Sequence, residues 1–178
     1  TSRKGGGPDV PDGFVWPVHR GRALDFLLQV NLADLLDAPT GLDLPATGVL
    51  SFFYDVHEQP WGYEPEHRMG HRVFLFDADM LLERRPPPDE ALALLPSGLS
   101  FKRGLRLPHR ESAEGERIGI WMAQHGLDWD EDREEAYFEL TQAVAAHHAG
   151  AAQPLHALGG PAHNVQGDMQ MEAQLVAH

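Results

Sequence analysis

Four amide and carboxylate side chains lie in two short motifs near opposite ends of the chain. Gln29 and Asn31 stand two residues apart in an apolar, strand-like stretch, and Gln166 and Asp168 stand two apart near the other end. Residues two apart on a strand project from the same face. Amides both donate and accept hydrogen bonds but do not titrate near neutral pH. This set therefore suits recognition of a peptide, sugar or small molecule better than acid–base catalysis.

A second interpretation gives the same amides a structural role. Each pair follows a Gly-Gly-Pro turn, Gly6-Gly7-Pro8 in one case and Gly159-Gly160-Pro161 in the other. Proline and tight turns leave backbone groups unpaired, and Gln29 and Asn31 could satisfy them. The turns could also cradle an anion with backbone N–H groups. Proline removes one donor and positive φ requires glycine in any case, so we favour structural turns.

Trp61 is the remaining candidate for ligand binding. It lies in the loop Pro60-Trp61-Gly62-Tyr63, where an indole ring could stack on a sugar or a peptide. The alternative is that the ring wedges its own loop onto a sheet. Both interpretations stay open at the level of sequence.

The residue types that support covalent or metal catalysis are missing or badly spaced. The chain has no cysteine, which excludes thiol catalysis and cysteine-based zinc sites. His67 and His71 stand four apart, but Pro65 and Gly70 argue against a helix there, and no H-E-x-x-H motif occurs. No G-x-S-x-G motif surrounds a serine. We expect no catalytic residue, no metal site and no cofactor.

The charge of the chain is strongly negative and unevenly distributed. The net charge of −13 disfavours nucleic-acid binding, which depends on neutralising phosphates. From Glu111 to Glu139 ten acidic residues accompany two arginines, a net charge of −8. This segment is either a solvated acidic rim or a docking face for a basic protein partner, steered electrostatically.

No apolar run approaches the ~20 residues of a membrane-spanning helix, so we expect no membrane contact. No charged segment followed by an apolar one opens the chain as a signal peptide would. Together with the absence of cysteine, this predicts a cytoplasmic protein.

The elements that must position these residues are mostly strands. Alternating or continuous apolar stretches predict strands at 24–32, 47–55, 72–77, 99–107 and 118–122. On the first strand, Leu24, Phe26 and Leu28 are predicted to share one face. A short helix is expected near 90–95, after the prolines at 86–88. The order of these elements predicts an α+β fold with a mainly antiparallel sheet.

One longer helix is predicted from about Arg133 to His148. Asp132 is the expected N-cap, with Glu135 at the capping-box position. A buried stripe at steps of three and four residues is expected on one side of this helix. Its members are Tyr137, Leu140, Thr141, Val144, Ala145 and His148.

Several motifs, in this order and spacing, resemble the YwqG-like family, a bacterial family of unknown function. They are Gly6-Gly7-Pro8, Trp16-Pro17, Leu27-Leu28-Gln29-Val30-Asn31, Leu44-Pro45-Ala46-Thr47-Gly48, Phe52-Phe53-Tyr54 and Gln166-Gly167-Asp168. The likeness spans nearly the whole chain. It implies a protein of two related halves, but it implies no catalytic residue. Because some relatives are encoded near secreted toxins, it also implies an immunity-type role as one possibility.

The repeated turn predicts how the chain is organised. We expect a single domain over 1–178, with a first half at about 1–108, a linker and helix at about 109–150, and the start of a second half at about 151–178. The step from Pro8 to Leu27, applied from Pro161, lands beyond His178. The second half is therefore expected to be incomplete at its C-terminal end.

The function expected from these observations is binding without catalysis. The first hypothesis is an interaction protein that recognises a protein partner, with an immunity-like role as one form of it. The second is a binder or hydrolase of a small molecule, glycan or peptide that uses Gln29, Asn31, Gln166 and Asp168 in a cleft between the halves.

Overall fold

Three apolar stretches in the first half of the chain form the centre of an antiparallel sheet. The computed structural model describes residues 1–35, 41–62, 64–149 and 156–161. The strands in these ranges are β1 Arg3–Lys4, β2 Asp9–Pro11, β3 Val18–His19, β4 Arg22–Ala23, β5 Asp25–Asn31, β6 Val49–Tyr54, β7 His71–Phe76, β8 Leu82–Arg84 and β9 Ser97–Gly98. Short 3-10 helices follow β5 at Leu32–Leu35 and precede β7 at Pro65–Met69.

The main sheet has five strands in the order β7-β6-β5-β1-β9. All of its pairings are antiparallel. Two further pairs, β2 with β8 and β3 with β4, form small two-stranded sheets. The strands predicted at 24–32, 47–55 and 72–77 are confirmed as β5, β6 and β7. The predicted α+β class with a mainly antiparallel sheet is confirmed as well.

The predicted faces of β5 are wrong at one point, because a bulge interrupts the strand. Phe26 pairs with Phe53, whereas Leu28 pairs with Phe52, so the register shifts at Leu27. Phe52 and Phe53 of β6 are adjacent and so point to opposite faces of the sheet. The extra residue of β5, Leu27, reverses the alternation of faces along β5. Phe26 therefore shares its face with Gln29 instead of with Leu28.

Aromatic side chains form the core on the Phe26 face of the sheet. Leu24, Phe26 and Phe53 are buried, and Phe14, Trp16 and Phe74 pack against them. Phe53 is central, with ring centroids 5.3 to 5.9 Å from those of Phe14, Trp16, Phe26 and Phe74. Edge-to-face and offset ring pairs of this kind add to the stabilisation from burial alone.

Two of the other predicted elements in the first hundred residues are not formed. The predicted helix near 90–95 is absent because tertiary contacts use its backbone: Leu92 N donates to Asp25 Oδ1, and Leu94 O accepts from Gly6 N. The predicted strand at 99–107 is not formed: no strand is assigned to these residues, and the nearest strand, β9 (Ser97–Gly98), ends just before them. Its partner β1 has only two residues, since Gly5 and Gly6 turn the chain with positive φ.

The segment predicted as a strand at 118–122 is helical instead. It belongs to α1, Ala113–Gln124, and the Oγ of its N-cap Ser112 accepts a hydrogen bond from Gly115 N. The apolar residues Ile118, Trp121 and Met122 stand three and four apart, which is the helical period. The N-cap and the helical spacing favour a helix more strongly than the short apolar run favours a strand.

The longer helix is confirmed as α2, Glu131–Ala149, but its N-cap is Asp130 and not Asp132. Asp130 Oδ1 accepts from Arg133 N at 2.9 Å, and Asp130 O accepts from Glu134 N. Asp132 instead lies in the first turn, where a negative charge interacts favourably with the helix dipole.

The buried stripe predicted on α2 does not form as expected. Its described members are at best half-buried, and Leu140 is half exposed. The side chain of His148 lies outside the described part. Tyr137, Thr141 and Val144, which stand four and three residues apart, are partly buried, so the predicted face is covered only in part.

The chain divides into two compact units, and each is treated by itself below. The sheet unit consists mainly of residues 1–35 and 43–102, and the helical unit consists mainly of residues from Arg103 onward, including α1 and α2. Among the described residues, no helix is both long and apolar enough to cross a membrane.

Candidate functional site

Gln29 is the best-defined of the predicted binding residues, and its amide is engaged inside the sheet unit. The side chain is fully buried, with 0% of its surface exposed. Its Oε1 accepts from Asp9 N at 2.9 Å. Its Nε2 donates to Asp9 Oδ2 at 2.8 Å and to Thr1 O at 3.2 Å. Both ends of the amide thus hold the segment that follows Pro8.

The same segment contains a buried ion pair. Arg3 donates to Asp9 through both terminal nitrogens, at 2.8 Å each, and its Nη2 also donates to Gly7 O at 2.6 Å. Arg84 Nε donates to Asp9 Oδ1 at 3.2 Å. A two-pronged arginine–carboxylate contact fixes orientation as well as charge. The network joins β1, β2 and β8 around Gln29.

The ionisation of Asp9 reflects this network. Burial by itself would raise the pKa of the Asp9 carboxyl, but hydrogen bonds from Arg3 and Gln29, the Arg3 charge and the Arg84 hydrogen bond outweigh that effect. Together they lower the pKa from 3.8 to about 2. Asp9 is therefore an anion over the physiological range and acts as a structural counterion to Arg3.

The first Gly-Gly-Pro turn is held by backbone contacts. Gly5 N donates to Leu27 O and Gly6 N donates to Leu94 O, so these two donors face carbonyl groups of the protein. Gly7 lies so close to the Arg85 carbonyl oxygen that a Cβ atom there would overlap it. Close approach of two backbones is a common reason for glycine.

The other predicted residues are placed separately or lie outside the described part. Asn31 Oδ1 accepts from Ala33 N at 3.2 Å, which caps the start of the 3-10 helix after β5. Gly159 and Gly160 both have positive φ. Gln166 and Asp168 lie outside the described residues. The ligand-binding role of the four polar residues stays a prediction.

Trp61 projects from its loop, with 85% of its surface exposed. The loop itself is anchored: Tyr54 donates through its hydroxyl to Pro60 O at 3.0 Å, and Gly62 N donates to His67 Nδ1 at 3.2 Å. His67 lies in the Pro65–Met69 3-10 helix, so Pro65 begins a helical turn where we expected it to prevent one. Stacking by Trp61 also stays a prediction.

A buried histidine–aspartate pair is present that sequence reasoning did not find. His19 Nδ1 lies 2.7 Å from Asp55 Oδ2, and both side chains are almost completely buried. Asp55 Oδ1 accepts from the backbone N–H groups of His57 and Glu58. The two residues are 36 positions apart in the sequence. The one sequence signal for this pair is Asp55, a charged residue directly after the apolar strand β6.

Asp55 is held in its ionised form. Burial alone would raise the pKa of its carboxyl, but hydrogen bonds from the Glu58 and His57 backbones and from His19, with the charge of His19, lower it. The negative charge of Asp55 in turn adds to burial in raising the pKa of the neighbouring Tyr54 hydroxyl. The carboxylate thus orients the imidazole of His19 through Nδ1.

Backbone strain occurs on both sides of this pair. Arg20 and Gln59 have φ of 48° each, and they are the two non-glycine residues with positive φ in the described part of the chain. Arg20 follows His19 in the turn of the β3–β4 hairpin, and Gln59 N donates to Asp55 O. Such conformations cost about 1–3 kcal/mol and are frequent at functional sites.

A cavity of about 330 Å³ opens beside this region of the sheet unit. Arg22 and His57 line it, together with Asp25 and Glu90. Arg22 pairs with His19 across the hairpin, and His57 N donates to Asp55. The His19–Asp55 pair therefore positions two residues of the cavity wall without itself lining it.

A groove of about 350 Å³ lies in the helical unit. Pro108, Ile118 and Trp121 supply apolar surface, and Glu114 and Arg117 supply charge. Tyr137 donates through its hydroxyl to Pro108 O at 2.9 Å, and burial raises the pKa of that hydroxyl. This contact ties α2 to the segment that precedes α1.

None of the histidine, aspartate and glutamate side chains in residues 1–35, 41–62, 64–149 and 156–161 form a group of three that could hold a metal ion.

The comparison with protein families is decisive for membership. The family model for the domain of unknown function DUF1963 matches residues 2–178. The chain belongs to the DUF1963 family. No curated protein matches it in sequence. Membership of DUF1963 agrees with a family of unknown function, whereas the YwqG-like name and a bacterial origin stay predictions.

Proposed function

We propose that this DUF1963 protein is a non-catalytic binding protein whose helical unit docks a basic segment of a protein partner. The observation that carries the proposal is the combination of exposed apolar side chains and dense negative charge on α1 and α2. We further propose a cytoplasmic location and an immunity-like role in which binding neutralises the partner.

The apolar part of this surface includes four large side chains. Trp121 and Phe138 expose 56% and 63% of their surfaces, and Ile120 and Leu140 expose about half. Single exposed apolar residues are common, but several on one pair of helices are typical of an interaction surface. Trp121 also lines the groove, and tryptophan is enriched among residues that dominate binding energy.

The charge of the same region favours a basic partner. Residues 111–139 carry a net charge of −8. The arginines of this segment are partly neutralised already, since Arg133 contacts Asp130. A field of one sign attracts an oppositely charged partner from a distance and raises its rate of association.

The sheet unit offers less support for the alternative ligand set. A small molecule, glycan or peptide on Gln29, Asn31, Gln166 and Asp168 would need the amide of Gln29, and that amide is buried and hydrogen-bonded at both ends. The helical unit is therefore the better-supported binding surface.

A defined peptide tests the proposal. A lysine- and leucine-rich amphipathic helical peptide is titrated against the full chain by fluorescence anisotropy, beside a scrambled peptide of equal charge and a glutamate-rich amphipathic one. We expect saturable binding of the first peptide alone, weakening as salt rises because exposed charges are screened.

Two tryptophan variants locate the binding site. Trp121→Ala should weaken the peptide at least tenfold, and Trp61→Ala, an equally drastic change at an exposed position of the sheet unit, should leave affinity within twofold. Equal binding of the scrambled peptide, or equal effects of both variants, would contradict the proposal.

A further inference from the structure

The cavity beside Asp25 combines opposite charges with apolar surface in a small volume. Arg22 and His57 lie in its lining with the acidic Glu90, and Val56 and Leu92 supply apolar surface. A guanidinium binds a carboxylate through paired hydrogen bonds, whereas a carboxylate such as Glu90 binds an ammonium group. Few small ligands carry a carboxylate, an ammonium group and an apolar side chain together.

The cavity is built on a fixed frame. Asp25 is buried, and its carboxylate accepts from Val56 N at 3.0 Å through Oδ2 and from Leu92 N at 2.5 Å through Oδ1. One side chain thus joins the end of β6 to the segment around Leu92. Both oxygens are occupied, so Asp25 supplies rigidity and negative potential, and Glu90 is left as the exposed carboxylate of the lining.

The part of the lining formed by Arg22 and His57 is also fixed. Arg22 stands across the β3–β4 hairpin from the buried His19, and the His57 backbone is bonded to Asp55. Strained residues occur in both supporting turns, at Arg20 and Gln59. Strain of this kind persists only where the surrounding structure holds it, and it is common at ligand clamps.

We propose that this cavity binds a free α-amino acid with an apolar side chain. Arg22 holds the ligand carboxylate, Glu90 holds its ammonium group, and Val56 and Leu92 contact its side chain. The volume of about 330 Å³ is near the lower end of the roughly 300–1,000 Å³ range of ligand pockets, which suits one amino acid better than a nucleotide or an oligosaccharide. This proposal is independent of partner binding by the helical unit.

Calorimetric titration of the full chain with L-leucine tests the site. N-acetyl-L-leucine lacks the ammonium charge and L-leucinamide lacks the carboxylate, so each should bind at least tenfold more weakly than L-leucine. The dipeptide Leu-Leu distinguishes a free amino acid from a peptide end, because a peptide unit separates its ammonium group from its carboxylate. It should also bind at least tenfold more weakly.

Matched variants assign the roles. Arg22→Ala and Glu90→Ala should each weaken L-leucine at least tenfold, whereas Arg68→Ala and Asp89→Ala, at exposed positions outside the lining, should change affinity less than twofold. Circular dichroism of each variant checks that it is folded. The titration at 25 °C extends to an L-leucine concentration roughly a hundred times a dissociation constant of ~0.1 mM. The proposal would be overturned if L-leucine showed no saturable binding over that range. Equal binding of N-acetyl-L-leucine would overturn it as well.

Discussion

The two units of this DUF1963 protein differ in what they bury. In the sheet unit, two pairs of charged side chains are largely buried, Arg3 with Asp9 and His19 with Asp55, and aromatic rings fill the core. In the helical unit, charges lie on the surface and large apolar side chains such as Trp121 and Phe138 are exposed. Large apolar side chains are exposed in the sheet unit too, Trp61 and Leu95 among them, so the contrast between the units lies in the buried ion pairs and rings and not in the exposed surface.

The largest expected difference between the units concerns their phenylalanines. Phe53→Ala should lower the free energy of unfolding by about 3–5 kcal/mol, because a buried ring surrounded by four others leaves a cavity. Phe138→Ala, at an exposed position of α2, should lower it by less than about 1 kcal/mol. Urea denaturation measures both, and similar losses would remove the contrast between the units.

Buried and exposed ion pairs should differ next. Asp9→Asn leaves the Arg3 guanidinium buried beside a neutral amide, and we expect a loss of about 3 kcal/mol. Glu111→Gln removes a surface partner of Arg110, whose Nη2 lies 3.3 Å from Glu111 Oε1, and should cost less than about 1 kcal/mol. If the surface change proved as costly as the buried one, the sheet unit would not owe its stability to internal pairing.

The stability of the sheet unit should also depend on acid. The pKa of Asp9 is about 2 in the fold against 3.8 ordinarily, so its stabilising contribution is complete above about pH 4 and is lost as the pH falls toward 2. After allowing for solvent screening, we expect about 1–2 kcal/mol from this group. Unfolding curves of wild type and Asp9→Asn between pH 5 and 2 should converge, and parallel curves would contradict this assignment.

The smallest expected effect concerns the start of α2. Asp130→Ala removes the N-cap and should cost about 1 kcal/mol. Asp132→Ala removes only an interaction with the helix dipole, for which we expect about 0.3–0.5 kcal/mol. Thermal melting, followed by the circular dichroism signal of the helices, measures both effects. A larger effect at Asp132 than at Asp130 would indicate that Asp132 is the N-cap, as the sequence predicts.

The central strands could be predicted because their signal is local. The apolar stretches of β5, β6 and β7 are long enough to identify without knowledge of their partners. The bulge at Leu27 could not be predicted, since nothing in the residues of β5 distinguishes the shifted register. Its consequence is large, because it brings Phe26 and Gln29 to the same face.

The wrong predictions at 118–122 and 90–95 share a physical cause. A short apolar run such as 118–122 is ambiguous between strand and helix, and the cap at Ser112 decided it. The segment at 90–95 has helix-like flanks, but its backbone groups bond to Asp25 and Gly6 instead. Competition between local and long-range hydrogen bonds is invisible in a single segment.

The candidate sites were predictable to different degrees. The acidic stretch of the helical unit was visible from charge alone, whereas the exposure of Trp121 and Phe138 depends on how the helices pack. The His19–Asp55 pair and the cavity lined by Arg22 and Glu90 join residues from distant parts of the chain, so no motif spacing could reveal them.

The sequence by itself determined the α+β class, the three central strands, the long helix and the concentration of negative charge. These follow from periodicity and composition, which act over a few neighbouring residues. Only the tertiary structure decided that the buried amide of Gln29 hydrogen-bonds to Asp9, that His19 pairs with Asp55, and that Asp25 lines a cavity. A polar residue's role depends on which groups reach hydrogen-bond distance, and chain folding alone brings those groups together.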